Sequence, residues 1–369
     1  MTKEAIRKIA ISTGGGDAPG LNAVIRAIVL ASIHRGWECV GIRDGFNGLM
    51  LPDDFPRGGL VPLTRESVAG ITHLGGTILG TTNRGNPMKF PVRQPGGTFV
   101  ETDRSDELVA RFKAAGLDAL VTVGGDGTLL IGYQLANKGL RVVGVPKTID
   151  NDLDRTFMTF GFDTAVSFAT ECLDRLHTTA TSHRRIMVVE VMGRYAGWIA
   201  LHAGIAGNAD IILIPEMPYE IEKVAEVVRE RERTGRLYTV IVVAEGARPA
   251  GGSVSVLGKA VGQAEKLGGV GEKVAHELEE RTGREARTVV LGHLLRGGSP
   301  TSFDRLVALR FGAAAVRALE DGLSSVMVSL HPPTVRYEPL ELAVQRMKTV
   351  PLQSDTIATA RDLGISFGQ

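Results

Sequence analysis

The stretch Ala119–Asp152, ALVTVGGDGTLLIGYQLANKGLRVVGVPKTIDND, reads in succession as strand, glycine turn, helix, strand and loop. Ala119–Val123 and Arg141–Val145 are short β-branched runs, apolar on both faces, as strands in the middle of a parallel sheet are. Leu129–Lys138 supplies the helical crossover that two parallel neighbours need. Gly124-Gly125-Asp126-Gly127-Thr128 and the loop Val145–Asp152 both fall just past a strand's carboxyl end, where open α/β sheets bind their ligands. Outward from this core the alternation continues. Strands are predicted at Lys8–Ser12, Glu38–Ile42, Arg185–Val191, Asp210–Ile214, Tyr238–Ala244, Thr288–Leu291 and Val326–Ser329. Helices are predicted at Leu21–His34, Asp106–Ala115, Thr164–Thr178, Glu220–Thr234, Val270–Thr282 and Phe303–Leu319. Repeats of this kind predict an α/β protein of two doubly wound, mostly parallel-sheet domains, with the active site in the cleft between them.

Composition agrees with that class. The chain has 369 residues, 43% hydrophobic and 22% charged, enough for more than one core. Glycine, at 46 residues, is about 12% against a usual ~7%. It has no collagen period, so tight or anion-cradling turns account for it. Lys and Arg number 42 against 41 Asp and Glu, a net charge of +1, which excludes a chain-wide basic surface for nucleic acid or anionic lipid. Two cysteines, Cys39 and Cys172, cannot build a disulfide framework and are expected as buried reduced thiols. The first residues, MTKEAIRKIAIS, lack the apolar stretch and cleavage site of a signal peptide. No apolar run approaches membrane-spanning length, and the expected location is cytoplasmic.

Chemistry concentrates in the post-strand loops. Thr13-Gly14-Gly15-Gly16-Asp17-Ala18-Pro19-Gly20 opens the helix at Leu21, so its backbone N–H groups and the helix terminus favour an anion. It fits neither the dinucleotide fingerprint nor the Walker A string, and a glycine-rich turn alone is also just a tight turn. In GGDGT a carboxylate stands where a bare phosphate would be repelled. Asp126 makes sense if Mg²⁺ bridges it to phosphate oxygens. Thr128 offers a hydroxyl or a helix cap. NAD kinases and some lipid kinases share a similar string. In Pro146–Asp152, Asp150 and Asp152 stand two apart beside Lys147 and Thr148, suiting a general base and a partner. A solvated turn with an N-cap would also produce either carboxylate alone. Arg185, Arg194, Arg287 and Arg296 sit near loop–strand junctions as permanently charged guanidinium donors for a sugar phosphate, with His293 between the last two. A single arginine of this kind is more often a surface ion-pair partner.

These strings together resemble the 6-phosphofructokinases. GGGDAPGLNAVIR, GGDGT, PKTIDND, SHRR, VMGRYAGWIAL, the glutamate of VVAEG and REARTVVLGHLLRGGSP occur in that family's order. The resemblance implies phosphoryl transfer to the 1-hydroxyl of fructose 6-phosphate. It implies Asp150 as the proton acceptor flanked by Thr148 and Asp152, Asp126 as the Mg²⁺ ligand, and Met192, Gly193 and Arg194 as the turn holding the sugar phosphate. Glu245 would accept sugar hydroxyls. Arg185 and Arg287 would serve the 6-phosphate across a subunit interface, with His293 and Arg296 completing that pocket, in a homotetramer. By the same resemblance a donor domain comprises about residues 1–161 and 295–345, and a sugar domain 162–294 and 346–369.

The donor is read from two positions. Pyrophosphate-using members resemble one another in carrying Asp where this chain has Gly127, and Lys where it has Lys147. Gly127 leaves room for the nucleotide's α-phosphate, while the Lys147 ammonium suits a pyrophosphate leaving group. An absent barrier permits ATP and one lysine does not forbid it, so ATP is favoured over pyrophosphate. The combination resembles the mixed-substrate branch. Gly16, Gly127 and Thr128 are then donor-site residues, and Arg84, one place later than the family's usual arginine, reaches the phosphates or faces solvent. Leu30 and His177 replace basic positions of the bacterial effector site and are read as ordinary packing. A non-catalytic phosphosugar- or nucleotide-sensing subunit is the remaining alternative.

Overall fold

A computed structural model describes residues 6–258 and 266–369. The leaderless start expected above concerns in part residues 1–5, which lie outside the described residues. By packing, the chain falls into two units. The first gathers the described residues up to Thr148, then Leu153–Gly161 and Arg296–Met347; the second gathers Ile149–Asp152, Phe162–Leu295 and Lys348–Gln369.

In the first unit a seven-stranded sheet runs in the order Thr334–Pro339, Val326–His331, Val142–Pro146, Ala119–Gly124, Lys8–Thr13, Glu38–Ile42, Leu60–Leu63. The five central strands are parallel, and an antiparallel strand closes each edge. Because side chains alternate across a strand, neighbours divide between two cores. Ile9, Ile11, Val121 and Val123 pack with the helices Leu21–His34 and Ser302–Glu320. Ala10, Val40, Leu120 and Val142 pack with Ser105–Ala114 and Asp126–Asn137. Helices on both faces make this a doubly wound unit, as expected.

The second unit is built on a four-stranded, all-parallel sheet ordered Ala286–Val290, Ile186–Val191, Thr239–Ala244, Ile211–Leu213. Ile186, Val188, Ile241 and Val243 face the helices Ile221–Arg233 and Val270–Thr282. Phe162–His183 and Trp198–Ala206 pack against the sheet from these strands' other side chains.

The predicted central elements form within a few residues of their expected bounds. Among the elements the sequence did not announce are the edge strands Leu60–Leu63 and Thr334–Pro339 and the helices Trp198–Ala206 and Asp355–Asp362. Leu30 packs against the first core, and the His177 ring bonds Gly207 O at 2.7 Å. Cys39 is buried, and burial pushes its thiol up to about 11. Cys172, expected to be buried, is only half-buried; its helix turns that face partly outward. Among the described residues no helix is long and apolar enough to cross a membrane.

Candidate active site

In the first unit the two glycine loops lock onto each other. Gly14 N–H donates to Val123 O at 3.0 Å, and the buried Thr128 side chain is the wedge between the loops. A Cβ added at Gly14 would stand 2.7 Å from Thr128 Oγ1, and one at Gly124 would collide with Thr128 Cβ. Glycine is therefore required at both positions by close approach. Thr128, expected as a phosphate donor or a helix cap, does not cap the helix: Gly125 is the N-cap, without a side-chain bond. Its hydroxyl oxygen lies beside both Gly14 and Gly124.

A third segment straps this assembly. Gly15 N–H donates to Thr82 O at 3.1 Å, and Thr81 Oγ1 donates to Gly15 O at 2.6 Å. Arg84 follows on the exposed end of the strap, its N–H bonded to Thr82 Oγ1 at 2.9 Å. The Arg296 guanidinium, expected among the 6-phosphate ligands, donates to Asp17 O at 3.1 Å and stands against Gly16, where an added Cβ would come within 2.7 Å of it.

Lys147 is 3% exposed. Its ammonium donates to Gly14 O at 3.1 Å and to Gly16 O, and its own N–H donates to Gly124 O at 2.9 Å. The residue thus ties the second strand's end to the first glycine loop. Read from its motif as a charge partner for the leaving group, Lys147 here braces the first glycine loop through these bonds. Lys147→Met keeps the buried stem and removes both side-chain bonds, each worth about 1.5–3 kcal/mol when charged. The expected outcome is a rise of about tenfold or more in donor KM with the sugar KM held. An unchanged donor KM would show that the loop does not need the ammonium.

Asp126 lies exposed in the first turn of the helix Asp126–Asn137. Beside it, a Cβ placed on Gly127 meets nothing within 4 Å. Among the described residues no group of three or more His, Cys, Asp and Glu could cage a metal. A lone carboxylate facing open space suits Mg²⁺, which is commonly held by one or two carboxylates together with substrate phosphates rather than by an all-protein cage.

The second unit carries the other half of the predicted residues. Met192, Gly193 and Arg194 follow the strand Ile186–Val191, and Glu245 follows its neighbour Thr239–Ala244. The two turns are bonded: Glu245 N–H donates to Val191 O at 2.9 Å and Gly246 N–H to Gly193 O at 3.1 Å. Gly193 has φ 143°, and a Cβ there would lie 2.7 Å from Ala196 O. Arg194 stands over the Tyr195 ring at 5.7 Å. Asp150 is half-buried and Asn151 almost fully buried in the loop Ile149–Asp152, while Thr148 is 9% exposed, its carbonyl accepting Thr159 Oγ1 at 2.7 Å.

Arg185 and Arg287 are not brought to those turns. They share one carboxylate, Glu285: Arg185 Nε donates to Oε2 at 2.7 Å and Arg287 Nη2 to Oε1. This cluster lies at the amino ends of the paired strands Ile186–Val191 and Ala286–Val290, the first of which leads at its carboxyl end to Arg194, and six residues of strand span about 20 Å. His293 is exposed on the turn Gly292–Arg296. Sequence reasoning gave no role to Thr81, Thr82, Glu216 or Lys348, all of which brace these loops.

The sequence matches the Phosphofructokinase family model over residues 8–319. It is 50% identical, over 98% of both chains, to the ATP-dependent 6-phosphofructokinase of Chloroflexus aurantiacus. It is also 50% identical to the pyrophosphate–fructose 6-phosphate 1-phosphotransferase of Amycolatopsis methanolica, over 93% of this chain and 96% of that one. The crystal structure of Pichia pastoris phosphofructokinase in the T-state superposes with a TM-score of 0.78 at 31% identity, covering 98% of this chain, which spans 37% of the yeast chain. Wedged glycine loops in one unit, paired Arg194 and Glu245 turns in the other, and a match running from the first strand into the helix Ser302–Glu320 lead to one conclusion: the chain belongs to the phosphofructokinase family.

Proposed function

We propose that the protein transfers the γ-phosphoryl group of ATP to the 1-hydroxyl of fructose 6-phosphate, yielding fructose 1,6-bisphosphate and ADP, the step that commits the sugar to glycolysis. The observation that carries this reading is the pairing of the Met192–Arg194 turn with Glu245. It sets a guanidinium for a phosphate and a carboxylate for hydroxyls at the ends of adjacent strands, as a phosphorylated sugar requires. Asp150 accepts the proton of the 1-hydroxyl as the new O–P bond forms. Transfer with a loose transition state needs positioning and charge compensation more than covalent help. Arg194 grips the sugar phosphate; Thr148 and Asp152 flank the base and limit its motion. The glycine loops, with the strap bearing Arg84, hold the donor's phosphates through backbone N–H groups. Asp126 would hold Mg²⁺, which when bound offsets negative charge on the phosphates.

The first unit is read as the donor unit and the second as the sugar unit. Arg185 and Arg287, set at the opposite end of the sheet from Arg194, are read as serving the 6-phosphate site of a neighbouring copy, with His293 and Arg296 completing that pocket, in a homotetramer.

Gly127 supports ATP, since nothing occupies the space beside it. The Amycolatopsis relative supports pyrophosphate as the second reading, but the bonds of Lys147 weaken the argument from that residue. Assaying the protein with fructose 6-phosphate, Mg²⁺ and each donor in turn separates the cases. The expected result is turnover with ATP about tenfold or more above that with pyrophosphate. Faster turnover with pyrophosphate would reverse the donor, and none with either would favour a sensing subunit.

A further inference from the structure

The loop Ile149–Asp152 is held by a residue nearly 200 positions away. Asn151 is 4% exposed and has φ 50°, in the left-handed region that a non-glycine residue keeps only when its surroundings impose it. Lys348 reaches this loop twice. Its ammonium donates to Asn151 Oδ1 at 2.8 Å, and its backbone N–H donates to Asp152 O at 2.8 Å. Lys348 is itself fixed: Trp198 Nε1–H donates to Lys348 O at 2.9 Å, and the ammonium stands 5.7 Å from the Trp198 ring centroid. Two residues on, Val350 N–H donates to Glu216 Oε1 at 2.8 Å, and the same carboxylate accepts Gly197 N–H at 3.1 Å to each oxygen. Gly197 ends the turn that begins at Met192, and Trp198 opens the next helix. One short segment, 348–350, therefore grips the Asp150 loop on one side and the Arg194 turn on the other, all within the second unit.

We propose that Lys348 is a positioning residue for Asp150: its ammonium fixes the left-handed backbone at Asn151, and with it the direction in which the preceding carboxylate points. This rests on Asp150 being the proton acceptor. Misplacing a reacting group by about 1 Å can cost on the order of 10²-fold in rate, and losing the Asn151 restraint frees the backbone dihedrals next to Asp150. The Glu216 link makes the restraint common to the base loop and the phosphate turn.

The test begins with the wild-type enzyme. If it shows no turnover with fructose 6-phosphate and either donor, the assignment of Asp150 has failed, and Lys348 with it. Given turnover, Lys348→Met is expected to lower kcat by about 10–100-fold with both KM values within about twofold. Lys348→Arg, which keeps charge and donors, should recover most of the loss. Asn151→Ala should lose a similar factor, and the double variant should lose no more than either single one, because both act through one contact. Unchanged kcat in Lys348→Met, a rise in sugar KM with kcat kept, or losses that multiply in the double variant would each overturn the proposal. Should Lys348→Met fail to fold, Lys348→Arg and Asn151→Ala carry the test, and wild-type kcat in Asn151→Ala overturns it.

Discussion

Asp150→Asn is expected to lower kcat by about 10²–10⁴-fold, the usual worth of a positioned general base, while fructose 6-phosphate still binds. Asn matches Asp in size and keeps a hydrogen-bonding oxygen, but it cannot take up the proton that the 1-hydroxyl must lose. The loop should keep its shape, since the bonds from Lys348 to the Asn151 side chain and the Asp152 carbonyl are untouched by the substitution. The proposed grip on the sugar phosphate lies elsewhere, on the Met192–Arg194 turn and Glu245. A drop confined to kcat marks an interaction made only in the transition state. The measurement is ADP release under saturating substrates, with sugar binding followed by calorimetry. Turnover within about threefold of wild type would remove Asp150 as the base, because a change that small lies well below what general-base loss produces.

The second large effect concerns the donor. Gly127→Asp is expected to cut kcat/KM for ATP by about 10²–10³-fold and to leave pyrophosphate use intact or raised. Two like charges about 4 Å apart repel by ~4 kcal/mol at a partly screened site, and the carboxylate also takes volume that the nucleotide needs. Misfolding is not a competing explanation. The position has open space for a Cβ, no positive φ is recorded there, and an acidic residue in a helix's first turn is favourable. The melting temperature should therefore hold. ATP kinetics unaltered by the carboxylate would show that the nucleotide does not pass this position.

The central strands were legible because burial on both faces leaves an apolar run with no competing pattern. Glu38–Ile42 and the helices Leu21–His34 and Val270–Thr282 form over the predicted residues themselves. The edge strands were not, for the converse reason. Thr334–Pro339 is largely half-exposed, and Leu60–Leu63 carries Pro62, which only an edge tolerates. Trp198–Ala206 is apolar nearly all round, so it has no helical period to detect. In the site, glycines and carboxylates just past strand ends were readable because few other roles need that combination. Arginines were not: the same residue type closes ion pairs on Glu285 at one end of a sheet and stands in the Met192–Arg194 turn at the other. The spans of Thr81, Glu216 and Lys348 to their partners are set by the fold, and nothing local encodes them.

Thr128 pressed between Gly14 and Gly124 has a consequence for engineering. The two glycine loops behave as one cast part, so transplanting either into a homologous scaffold alone would jam a foreign side chain against the other. Exchange of donor preference by grafting should succeed only when both segments travel together with their wedge.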